Sequence, residues 1–260
     1  MGSKKRKRLD FVVSAIQQRW GRQALRRGEE AFAPAGGLPH LPTGFPPLDQ
    51  ALDGIGGLPR GRISELLGAP TSGMATLALK VIEQAQTAGD YAAYLDLSRT
   101  FDPDYAARCH VRLSKLLLVR PASAVEALTL TRDLLESRGL GVLVFDSVAD
   151  LFPAHPEEQA LASALAHLPA VLAGSACALI FLTPLHPGDA LSSAHYPAGF
   201  ALPDYAAVRL LLRKERWLKR GRDIRGYQAR ALVLKNKLGA AGRSAKVAIT
   251  FNGVVQGDGT

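Results

Sequence analysis

The segment Gly68-Ala69-Pro70-Thr71-Ser72-Gly73-Met74-Ala75 sets two glycines five positions apart, between an apolar run and a helical pattern. Phosphate-binding loops of the form Gly-x-x-x-x-Gly-Lys-Ser/Thr share this spacing. Their glycine frame turns backbone N–H groups toward an anion at a helix N-terminus. Here the frame is present and the chemistry is not. Met74 stands at the lysine position and brings no cation to the β- and γ-phosphates. Ala75 stands at the hydroxyl position and cannot ligate magnesium. Thr76 comes one residue late, about 100° further round the helix. Each lost charge-assisted contact costs on the order of 1.5–3 kcal/mol. Nucleotide affinity is expected to fall steeply, and catalysis further, because the lysine stabilises developing charge. The carboxylate of such a site remains: Val142–Phe145 is an apolar run that ends in Asp146.

Charge is the second feature with chemical consequences. The net charge is +9, from 32 Lys and Arg against 23 Asp and Glu. Residues 1–30 carry +6, residues 205–246 carry +11, and the remainder carries −8. Two basic ends around an acidic middle point to a polyanion or an acidic protein partner. The densest group is Arg213, Lys214, Arg216, Lys219, Arg220, Arg222 and Arg225, with Trp217 among them. It reads either as a solvated hairpin tip or as a patch for DNA backbone or an acidic partner. An exposed indole there can stack on a base or anchor an interface. The run Lys4–Arg8 reads as a solvated tail. Cys109 and Cys177 are too few for a disulfide framework and lack metal-ligand spacing, and the six histidines are scattered, so no metal site is expected. A reducing cytoplasm is the default setting. No apolar run reaches the length of a membrane span and no long apolar stretch follows the basic N-terminus, so neither a span nor a signal peptide is expected.

The elements that position these residues follow from periodicity. Val12, Ile16, Trp20 and Ala24 recur every fourth residue, which predicts an amphipathic helix over 9–27. Residues 28–47 are rich in Gly, Pro and Ala and read as a linker. The chain therefore divides into a basic tail, helix and linker over 1–40 and a core over 41–260. In the core, strands at 63–67, 91–97, 116–119, 142–145 and 177–183 alternate with helices at 74–88, 122–138 and 157–173. This predicts an α/β fold with a mainly parallel sheet flanked by helices. Strands at 205–213, 228–235 and 246–251 follow with no helices between them, so the sheet is expected to end in antiparallel edges.

Several segments, in order, resemble the RecA recombinases. They are Thr43–Leu52 with Leu58–Glu65 ahead of the loop, Tyr94-Leu95-Asp96 and Phe101–Ala106, Phe145–Leu151, and Lys235-Asn236-Lys237. The resemblance runs from about residue 9 to 255 and implies a RecA-like core with a degenerate ATP site (Gly68, Gly73, Met74, Ala75, Thr76, Asp146). It also implies that Ser98 stands where the family has its catalytic Glu, and Pro184 where it has a γ-phosphate-sensing Gln. A non-hydrolysing protein without ATP or magnesium is the expectation. The two segments that match the family's DNA loops are short and acidic (152–158) or free of Lys and Arg (186–203). In the family the N-terminal helix packs on a neighbouring subunit and an apolar residue beyond it plugs in. Val12, Ile16 and Trp20 match that helix, and Leu25 matches the plug. Lys235 and Lys237 match lysines that reach a neighbour's nucleotide.

Within this superfamily the pattern is similar to the ImuA group of RecA-like accessory proteins in SOS-induced mutagenesis. That likeness implies an adaptor in translesion DNA synthesis. Its implied partners are RecA, an ImuB-type polymerase-like protein and an error-prone polymerase. Other readings stay open: docking of the helix on another copy or on its own core, and a DNA-binding recombination mediator or a weak ATP-binding protein.

Overall fold

The computed structural model describes residues 2–21, 25, 39–53, 56–151, 158–185, 196, 200–252 and 255–258. The chain forms two compact units, residues 1–37 and 38–260.

The first unit holds helix α1, Gly2–Trp20. The basic run Lys4–Arg8 lies inside this helix, which corrects its reading as a tail. Lys and Arg are good helix formers, and residues 5–8 keep their side chains in water. Gly21 ends the helix: its φ is +83°, and its N–H donates to the Gln17 carbonyl at 2.9 Å. The predicted helix therefore stops seven residues early, and Ala24 lies outside the described residues. Ile16 is half-buried, whereas Trp20 is 66% and Phe11 76% exposed.

The second unit is built on a nine-stranded sheet of order β11-β10-β9-β8-β3-β7-β6-β4-β5. The strands are β3 (Ile63–Gly68), β4 (Tyr91–Asp96), β5 (Leu116–Val119), β6 (Leu140–Asp146), β7 (Ala178–Pro184), β8 (Val208–Arg220), β9 (Asp223–Asn236), β10 (Ser244–Phe251) and β11 (Val255–Asp258). The segment from β8 through β3 to β5 is parallel, and the β8–β11 end is antiparallel. Central strands read as continuous apolar runs because both faces are covered. Alternation along β6 shows this: Val142 and Val144 join one core cluster, Leu143 and Phe145 the other. The first cluster includes Leu48 and Ala51 of α2 (Pro46–Ala51) and Leu77, Val81 and Ile82 of α3 (Met74–Thr87). The second includes Leu128 and Leu135 of α5 (Ala124–Glu136) and Leu161, Leu165 and Leu172 of α6 (Glu158–Ala173). A short helix α4, Pro103–Arg108, is capped by the Asp102 carboxylate, which accepts from the Tyr105 N–H at 2.9 Å.

The linker reading of 28–47 fails over residues 40–47. Strand β1 (His40–Leu41) pairs with β2 (Leu58–Pro59), and Leu41 and Phe45 are buried in the core. Pro46 opens α2, where its missing N–H costs nothing. Residues 28–38 lie outside the described residues. At the other end, β8 and β9 extend well beyond the expected strands into one long hairpin. Its two-residue connection uses Gly221 at φ +63°. Strand β11 was not expected from the sequence.

Candidate functional site

The candidate loop sits where β3 ends and α3 begins. Gly73 precedes the helix at φ +106°, a left-handed conformation that excludes side chains. A Cβ there would also lie 3.0 Å from the Tyr227 hydroxyl. The glycine frame is therefore intact, and what surrounds it has changed.

A cavity of about 450 Å³ opens at the loop. Residues 69–76 form one wall, and Thr100, Tyr105, Asp146, Leu182, Pro184, Trp217, Tyr227 and Phe251 form the rest. Among the described residues, no Lys or Arg lines it. Met74 is buried and belongs to the core cluster, because a thioether prefers that environment to a phosphate. The Thr76 hydroxyl lies 2.6 Å from the Tyr105 hydroxyl and 3.4 Å from that of Tyr227. Burial raises the Tyr105 phenol pKa and pushes that of Tyr227 up to about 12, so both stay protonated at neutral pH. Asp146 accepts a hydrogen bond from the Tyr94 hydroxyl at 2.5 Å. Burial pushes the Asp146 pKa up, the Tyr94 hydrogen bond pulls it down, and Asp96 and Asp150 push it up again.

These residues do not fit magnesium-ATP. A triphosphate needs a cation, and the described lining offers none. The metal-side carboxylate is engaged by Tyr94, and the late hydroxyl of Thr76 by Tyr105. Among the described residues, no group of three or more His, Cys, Asp or Glu could hold a metal ion. Of the expected degenerate set, the fold brings together Gly73, Met74, Ala75, Thr76, Asp146 and Pro184. Gly68 and Ser98 stand outside the lining. Ser98 Oγ lies 2.7 Å from Thr100 Oγ1, and Thr100 lines the cavity in its place.

A family model for the RecA N-terminal domain matches residues 7–256. The chain belongs to the RecA family. It is 38% identical to protein RecA of Thermus thermophilus over 267 aligned positions, covering 96% of this chain and 78% of that relative. Protein RecA of Herpetosiphon aurantiacus is 34% identical over 270 positions, covering 98% and 74%. A crystal structure of the RadB recombinase shares the fold, with a TM-score of 0.63 and 20% identity over 81% of this chain and 96% of that one. No described helix is long and apolar enough to cross a membrane.

The remaining expected residues of this RecA-family chain fall into three places. Lys235 Nζ donates to the carbonyls of Pro203 at 2.6 Å and Asp204 at 3.2 Å, and Lys237 Nζ to that of Asp204 at 2.5 Å. Both ammonium groups are thus held on α7 (Leu202–Tyr205) of their own chain. In the first unit, the Leu25 carbonyl accepts from Gln17 Nε2 at 3.1 Å, and the Arg19 guanidinium lies 5.3 Å from the Trp20 ring centre.

The third place is the β8–β9 hairpin, where the expected patch divides. Both of its carboxylates are paired: Glu215 with Arg230 at 2.5 Å, and Asp223 with Arg225 at 3.1 Å. Arg216 donates to Gln228 Oε1 at 3.1 Å. Arg213, Lys219, Arg220 and Arg222 are exposed, and none makes an ion pair among the described residues. Trp217 lines the cavity as well as the hairpin surface. It meets Tyr227 edge-on at 6.1 Å, with Lys214 Nζ 3.9 Å from its ring centre.

Sequence reasoning assigned no role to Tyr94, Thr100, Tyr105, Tyr227 or Phe251. Tyr94 and Tyr105 stand inside recognised motifs, but only the tertiary fold shows what their hydroxyls meet. It also missed a buried network beside β7. The fully buried Glu65 accepts from Thr183 at 2.7 Å, from Arg209 Nε at 2.6 Å and from the Tyr196 hydroxyl.

Proposed function

We propose that this RecA-family chain is a non-hydrolysing adaptor of the ImuA kind in SOS-induced translesion DNA synthesis. Its partners on this reading are RecA, an ImuB-type polymerase-like protein and an error-prone polymerase, and its place is the cytoplasm. The observation that carries the reading is the phosphate-loop cavity, whose glycine frame is kept while apolar and aromatic side chains stand where charge is needed. A catalytic fold emptied of its reacting groups retains its surfaces, and surfaces are what an adaptor uses. Helix α1 supports this: Phe11, Val12 and Trp20 are exposed large apolar side chains on it, of the kind a docking element presents. The deciding experiment is titration of the purified chain with magnesium-ATP, alongside a hydrolysis assay. Dissociation constants above the millimolar range and no turnover are expected. Micromolar affinity, or turnover abolished by Asp146→Ala, overturns the reading.

One further observation favours direct contact with DNA. The hairpin leaves Arg213, Lys219, Arg220 and Arg222 exposed once its own carboxylates are paired, and phosphate neutralisation needs such cations. The adaptor reading therefore includes DNA backbone contact along β8–β9.

A further inference from the structure

We infer that the phosphate-loop cavity accepts one base of a single-stranded DNA whose backbone follows the β8–β9 hairpin. The inference rests on the reading of that hairpin as a DNA contact and adds a site to it.

Three observations converge. The cavity walls formed by Met74, Trp217, Tyr227 and Phe251 are apolar or aromatic, and no cation among the described residues lines the space. Such walls suit a flat ring and disfavour a phosphate. The volume of about 450 Å³ lies within the roughly 300–1,000 Å³ of small-ligand pockets. Thr100 supplies a hydroxyl for the polar edge of a base.

The cations lie at the rim. Trp217 is 46% exposed, so its ring belongs both to the cavity and to the hairpin surface. Lys214 sits on that ring at 3.9 Å. Lys219 is exposed two residues further along β8. Arg220 and Arg222 continue the positive charge to the turn. Phosphates held outside by cations and a ring held inside by aromatics is the arrangement by which proteins bind single strands. A flexible single strand can turn one base inward, whereas duplex stacking forbids it without extra cost.

The test uses the full chain, a short labelled oligothymidylate and the same oligomer made of abasic sites. The base-bearing strand should bind about 5- to 150-fold more tightly, the usual contribution of one stacked base. Trp217→Ala and Phe251→Ala, changes on two different strands, should each erase that preference and leave abasic affinity unchanged. Unchanged melting curves show that the variants fold. Arg220→Gln with Arg222→Gln should weaken both oligomers alike. Equal binding of the two oligomers by the wild type overturns the base site and leaves the hairpin reading standing. No binding of either, with capture of an acidic polyglutamate peptide instead, overturns both.

Discussion

The Tyr94 hydroxyl donates to Asp146 Oδ2 across 2.5 Å, joining neighbouring strands β4 and β6. The carboxylate that the loop motif would assign to a metal is thereby engaged by a phenol. Burial raises the phenol's pKa, so it keeps its proton.

Tyr94→Phe removes that donor. The Asp146 pKa is already raised by burial, and losing the hydrogen bond raises it further. Between the ordinary carboxylate value of 3.8 and the raised native value, the folded chain binds more protons than the unfolded chain. This group's stabilising contribution is therefore full below the ordinary value and falls as pH rises. The variant should lose about 1–3 kcal/mol at neutral pH, and the decline should extend to higher pH than in the wild type. Denaturant titrations across acidic pH check this; parallel curves for the two proteins would contradict it.

Glu65 is fully buried and its charge is matched by Arg209 at 2.6 Å. Arg209→Ala leaves a carboxylate without its cation and should cost about 3–5 kcal/mol. The double change Glu65→Gln with Arg209→Met should cost much less, because no charge is then stranded. Comparing the midpoints of chemical unfolding for both variants tests the pairing.

The hairpin cations should govern the salt dependence of single-strand binding. Changing Arg213, Lys219, Arg220 and Arg222 to Gln should lower the log–log salt slope by about 0.7 for each lost phosphate contact. Arg216→Gln should matter less, since Arg216 is already bonded to Gln228. A slope that responds equally to all five changes would argue against the division of the patch seen here.

Helix α1 should contribute to recovery of RecA. Cutting both Trp20 and Leu25 to Ala should cost about 2–4 kcal/mol for each true anchor, or roughly 30- to 1,000-fold in affinity. A pull-down of RecA by wild type and by the double variant measures it, with melting curves as the folding control. Equal recovery would make the arm a structural appendage.

The sequence by itself determined the α/β alternation, because strand and helix periods are local properties. It determined the glycine frame too, since spacing alone specifies that turn. The loss of lysine and hydroxyl at Met74 and Ala75 was equally legible as residue identity. Tertiary structure alone decided what replaced them. Tyr94, Tyr105, Tyr227 and Phe251 come from β4, α4, β9 and β10, and no local pattern links those positions to the loop. The placement of Trp217 was hidden for a similar reason. Among seven basic neighbours it reads as part of a charged patch. The register of β8 on β9 sets it opposite Tyr227 and turns it into the cavity wall. Residues 40–47 looked like linker by composition, yet Leu41 and Phe45 are buried because α2 and β2 bring them against the sheet. Composition reports what a segment is made of, and burial depends on which distant surface meets it.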